Sequence, residues 1–180
     1  MQSRVVALSL AAAAAIALAA CGSDNESPQV SKVVQFTTHM TPAGEIGATL
    51  QGSPSGSGDF TASLDTSTGI FTWSGTFQGL TGNASLGHIH GPFPDGTKNS
   101  AGVLINFDPA QTPGATFVGL KTATSGSFSG SINLSSTAPQ FVASMTNDSL
   151  RHLILNNAVY VNIHTPLNGG GEIRGQFARK

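Results

Sequence analysis

Phe71-Thr72-Trp73-Ser74-Gly75-Thr76-Phe77 alternates aromatic or small residues with hydroxyls. In an extended chain successive side chains point to opposite faces, so this stretch describes a strand with one face in a core and one in water. Phe60-Thr61-Ala62-Ser63-Leu64 and Phe128-Ser129-Gly130-Ser131-Ile132-Asn133-Leu134 repeat the pattern. The period is two from Val33 onward. Turn-forming residues punctuate it at 54–58, 65–69, 92–96, 109–114 and 168–171. Many short strands at this spacing predict an all-β, single antiparallel Greek-key-like barrel or sandwich. Asn147 to Asn157 alone reads as helix, centred on 148–156, with Asn147 or Asp148 as the expected cap and Leu150, Leu153 and Ile154 as its apolar stripe.

The first 27 residues follow other rules. Arg4 precedes an apolar run from Val5 to Ala20, interrupted only by Ser9. That run is short for a membrane span, which needs about 20 residues. Leu18-Ala19-Ala20-Cys21 matches the lipoprotein signal box, in which the cysteine thiol takes a diacylglyceryl group before cleavage. The expected organisation is a signal peptide over 1–20, lipidated Cys21 with a polar tether over 21–32, and one β domain over 33–180. Several acyl chains anchor stably where one does not. The protein is therefore expected in the cell envelope, outside the cytoplasm and membrane-bound through Cys21. Gly22, rather than Asp, after the cysteine fits outer-membrane sorting if the host is Gram-negative.

Charge excludes several roles. Charged residues are 9% of the chain, far below the roughly 25% of ordinary soluble domains. Loss of Arg4 with the leader leaves nine acids against seven bases. Nothing here forms a basic stripe for nucleic acid. The lone cysteine excludes an internal disulfide. No nucleophile elbow, paired acidic motif or phosphate-cradling loop is present, and no catalytic residue is assigned. Gly169-Gly170-Gly171 lacks the helix and lysine a phosphate loop requires.

Two segments carry chemistry. In Leu86-Gly87-His88-Ile89-His90-Gly91-Pro92, the two histidines share one strand face while Ile89 points to the core. In Tyr160-Val161-Asn162-Ile163-His164-Thr165, Val161 and Ile163 face the core, which leaves Tyr160, Asn162 and His164 on the other side. In the last strand Ile173 and Phe177 look inward and Glu172, Arg174 and Gln176 look away. His88, His90 and His164 are thus candidate ligands of one copper or zinc ion. Tyr160, Asn162, Glu172 and Arg174 are candidates to orient or support them. The competing reading is that the histidines only hydrogen-bond neighbouring loops. Glu172 and Arg174 are expected to pair with each other or with neighbours, and His39 and His152 to be ordinary surface or packing residues.

These motifs resemble the CHRD domain, the chordin-type module of exported proteins. The matching pieces are Gly87-His88-Ile89-His90-Gly91, Tyr160 to Thr165 and Gly171-Glu172-Ile173-Arg174-Gly175-Gln176. Gly58 to Asp65 and Gly69-Ile70-Phe71-Thr72-Trp73 are also similar. The resemblance spans about 33–178 and implies an antiparallel β-barrel or immunoglobulin-like sandwich. Met40-Thr41-Pro42-Ala43-Gly44-Glu45 departs from the family's opening pattern, which leaves the first strand's register open. A looser resemblance joins His88-Ile89-His90 to the copper-binding strand of copper/zinc superoxide dismutase. The further ligands of a zinc site and the disulfide pair of that enzyme have no counterpart here. The leading functional reading is a non-enzymatic binding or structural module on the envelope, with an envelope or extracellular protein as its potential partner. The alternative is a three-histidine copper or zinc protein, extending to superoxide dismutase-like activity.

Overall fold

Alternation along the chain becomes pairing between strands in the computed structural model, which describes residues 32–93 and 101–180. The expected leader, Cys21 and nearly all of the expected tether lie outside the described residues. Strands β1 (Val33–Met40), β2 (Ser57–Asp65) and β3 (Ile70–Gln78) form an antiparallel meander. It continues through β7 (Gly126–Asn133) to β6 (Thr116–Val118), while β10 (Ala178–Arg179) borders β1. The second sheet has the order β5 (Val103–Asn106), β4 (Leu86–His90), β8 (Tyr160–His164), β9 (Ile173–Gln176). The sheets form an open antiparallel sandwich and do not close into a barrel. One isolated bridge, Thr41 to Arg174, ties the end of β1 to β9.

The core lies between the sheets. Phe36, Phe60, Phe71, Trp73, Phe77 and Phe128 enter it from the larger sheet, and Ile89, Ile105, Val161, Ile163 and Ile173 from the smaller. Phe107 stacks on Phe128 at 4.6 Å between centroids and on Trp73 at 5.8 Å. Room for these rings comes from glycines directly across the strands. Gly130 faces Trp73 and Gly75 faces Phe128, and a Cβ on either glycine would run into the opposing ring. The outer face of the large sheet carries the hydroxyls, some bonded across strands, as in Ser63–Thr72 at 2.7 Å and Thr61–Ser74 at 3.1 Å.

The helix α1 spans Asn147–Leu155 and buries Leu150 and Ile154. Its cap is Thr146, whose hydroxyl accepts from Ser149 N at 3.1 Å, one residue before the expected position. Asn147 is instead buried and staples the preceding loop. Its amide accepts from Phe141 N and donates toward the carbonyls of Ser135, Ala138 and Pro139. A side chain with two donors and an acceptor can serve the loop better than the helix end. His39 and Asp59 pair at 2.8 Å on the exposed outer face, and His152 is exposed on the helix.

Candidate metal centre

The register of the small sheet assembles the site. Across β4, β8 and β9 one row reads His88, Asn162, Arg174, and the next reads His90, Tyr160, Gln176. His164 lies opposite Leu86, two residues beyond Asn162 on the same face. Ile89, Val161, Ile163 and Ile173 occupy the reverse face and are fully buried. The expected alternation therefore holds residue by residue.

The histidine face is not open, however. His88, His90 and His164 are only 5–6% exposed, Tyr160 and Asn162 1%, Arg174 4% and Glu172 0%. Connections fold over it. Thr41 and Arg174 exchange backbone bonds at 3.0 and 3.1 Å, and Gln51 N reaches Asn168 Oδ1 at 2.8 Å. This brings the turn after β1 and the 165–171 loop onto the face as a second, polar core.

Within it the three imidazoles converge. One nitrogen of each lies within 4.8 Å of the others. Such points share a centre no more than about 2.8 Å from each, so closing to the roughly 2.0–2.1 Å of a metal–imidazole bond needs small movements only. His90 Nδ1 lies 2.8 Å from Ala101 O and His164 Nδ1 3.0 Å from Gly169 O. A carbonyl only accepts, so both Nδ1 atoms carry protons and both Nε2 atoms present lone pairs. His88 Nδ1 then donates to His164 Nε2 across 3.0 Å. Burial, and secondarily the neighbouring imidazoles, hold His88 down at about 3. Burial likewise lowers His164 to about 4, against the Gly169 bond that favours its charged form. His90 is lowered too, mainly by burial. Neutral imidazoles are the form that ligates metal. His90 Nε2 is buried and, among the described residues, has no hydrogen-bond partner.

The surrounding side chains divide into two groups. Tyr160 stacks on the His90 ring at 4.9 Å and 6°, and the Arg174 guanidinium lies 3.4 Å from the Tyr160 centroid and 4.3 Å from that of Phe93. Ala101 completes the frame, giving its N–H to Tyr160 Oη at 3.2 Å and its carbonyl to His90. Glu172 does not pair with Arg174. It takes bonds from Thr81 N, the Thr81 and Thr165 hydroxyls and Asn168 Nδ2, at 2.5–3.0 Å. Burial pushes its carboxyl up, but these donors outweigh that and hold it below the ordinary range. Glu172 thus pins the turn whose Gly169 carbonyl orients His164. The acid near Arg174 is Glu45, which is absent from the sequence-derived set. Burial raises it to about 7 against the attraction of Arg174 and the Asn162 hydrogen bond. No periodic signal marks Glu45, because it sits in a turn that only the fold carries onto the histidine face. Gly171, at φ +129°, leaves the room in which Glu45 and Asn162 meet.

No curated protein and no solved structure matches the chain significantly. The family model described as the CHRD domain matches residues 36–177, which include the His88-x-His90 strand, His164 and the closing strand. The chain therefore belongs to the CHRD-domain family.

Proposed function

We propose that this protein is an exported, lipid-anchored CHRD module that binds one copper or zinc ion through His88, His90 and His164. The observation that carries the metal reading is the convergence of three buried ring nitrogens within 4.8 Å of one another. Its chemistry agrees, since the imidazoles are held neutral and two are oriented through Nδ1 on backbone carbonyls. The donors are nitrogens with no thiolate or thioether among them, which suits Cu(II) or Zn(II) rather than Cu(I). The anchoring rests on the Leu18-Ala19-Ala20-Cys21 box. Display of a β module at the envelope, with a protein partner there, is the role in which such a centre would serve.

A second reading has its own observation. Every one of the three rings also makes a hydrogen bond without metal: His88 to His164, His90 to Ala101 and His164 to Gly169. On that reading the histidines staple loops in a non-enzymatic structural module. Metal content separates the two. The full chain, purified in detergent, is loaded with copper or zinc, dialysed and assayed beside His90→Ala. About one ion per chain, lost in the variant, is the expected result. No retained metal in the unsubstituted chain would leave the structural reading. Superoxide dismutation is worth assaying only in copper-loaded protein, because that chemistry needs a redox metal with an open position.

A further inference from the structure

We propose that Asn162 Oδ1 is a fourth ligand, completing a three-nitrogen, one-oxygen metal site; this rests on the three-histidine reading above. Asn162 lies directly across from His88, two residues before His164 on the same face, and within hydrogen-bonding reach of the His90 ring. It is 1% exposed. Its Nδ2 donates to Glu45 Oε1 at 3.4 Å, which commits that end of the amide. The other end, Oδ1, is buried without a partner among the described residues, as is His90 Nε2.

The hydrogen-bond bookkeeping makes this pairing informative. His90 Nδ1–H is held by Ala101 O, so Nε2 has only a lone pair to offer. Asn162 Oδ1 also has only lone pairs. A buried acceptor left without a donor is costly, and among the described residues both of these atoms are such acceptors. A cation ligated by both satisfies both at once. The same ion takes lone pairs from His88 Nδ1, once its proton has moved to Nε2, and from His164 Nε2.

An amide oxygen is a harder donor than imidazole and far harder than sulfur. Its presence selects Zn(II) or Cu(II) over Cu(I) and completes the four-coordinate set a structural zinc site requires. Glu45 then acts through Asn162 as a positioning residue, turning Oδ1 toward the histidines by holding Nδ2.

The test uses the full chain in detergent, with Zn(II) titrations for affinity and Co(II) as a spectroscopic probe of coordination. Asn162→Ala is expected to weaken Zn(II) binding by more than the about 10–100-fold typical of losing a group that only orients a ligand. Its Co(II) visible bands are expected to lose intensity as water replaces the amide and the ion leaves four-coordination. Asn162→Asp keeps the shape and offers a carboxylate oxygen. It gives up the Nδ2 bond to Glu45, so it is read by coordination and not by affinity: an intense four-coordinate Co(II) spectrum is expected. Should Asn162→Ala fail to fold, this variant carries the test, and a Co(II) spectrum that is not four-coordinate in it overturns the proposal. Unchanged affinity and spectrum in Asn162→Ala, while His90→Ala loses the metal, would remove Asn162 from the site and keep the three histidines. No binding by the unsubstituted chain would remove both.

Discussion

At the residue scale the centre is defined by protonation. His88, His164 and His90 are all held below the ordinary histidine range in the fold, the first two at about 3 and 4. A base whose folded value is depressed stays neutral while the unfolded chain takes up protons. Its stabilisation is full above the unfolded value near 6.5 and is lost as pH falls below it. Glu45 opposes this. Raised to about 7, it is protonated in the fold before it would be in the unfolded chain, so it favours folding as pH falls from 7 toward 4.5. Three histidines outweigh one acid. Metal-free protein is therefore expected to lose roughly 2 kcal/mol between pH 6.5 and 5. Urea unfolding across that range checks it. A flat profile, or a rise toward acid, would show that the imidazoles are not neutral in the fold. Of these residues, the histidines were legible from their spacing on a strand face. Glu45 was not, because a single acid in a turn has no pattern to read.

Elements were legible in proportion to their length. The long strands β2, β3 and β7 announce themselves by alternation over five to seven residues. The helix is marked by its apolar stripe, and only its cap is displaced, from Asn147 to Thr146. The short strands β6 and β10, of three and two residues, carry too few positions for a period and exist because a neighbour offers an unpaired edge. Glycines inside strands look like weak points in sequence, since they lose the most backbone freedom on folding. Their use becomes visible only in the register, where Gly130 lies under Trp73 and Gly75 under Phe128. Gly130→Ala is expected to cost about 1–3 kcal/mol through overpacking against the indole. Ser129→Thr, its neighbour on the outer face, should stay within about 0.5 kcal/mol. Urea midpoints of the two variants compare them directly. Equal midpoints would mean that the indole moves aside without cost.

At the scale of the whole molecule, the proposed leader and the β unit answer to different physics. On the proposed reading residues 1–20 direct export and Cys21 is acylated, so lipid attachment would depend on one thiol. Labelled palmitate is expected in the full chain and absent from Cys21→Ser, which lacks the nucleophile for the diacylglyceryl group. An unlabelled parent chain would refute the anchor while leaving the fold untouched.

The all-β class, the antiparallel pairing, the helix and the face on which each histidine stands followed from the sequence alone. These depend on side-chain period, a local property that two or three consecutive strands already express. The resemblance to the CHRD domain implied a barrel or a sandwich without choosing between them, and the family match bears out the resemblance. Tertiary structure alone decided three things. It left the sheets as an open sandwich, because strand count and edge pairing are settled by long-range contacts. It buried the histidine face, which period two assigns to the side away from the core, because the turn after β1 and the 165–171 loop pack over it. And it brought Glu45 to Asn162, residues 117 positions apart in the chain. No local pattern encodes a contact of that span; it exists only once β1 and β9 are tied together at Thr41 and Arg174.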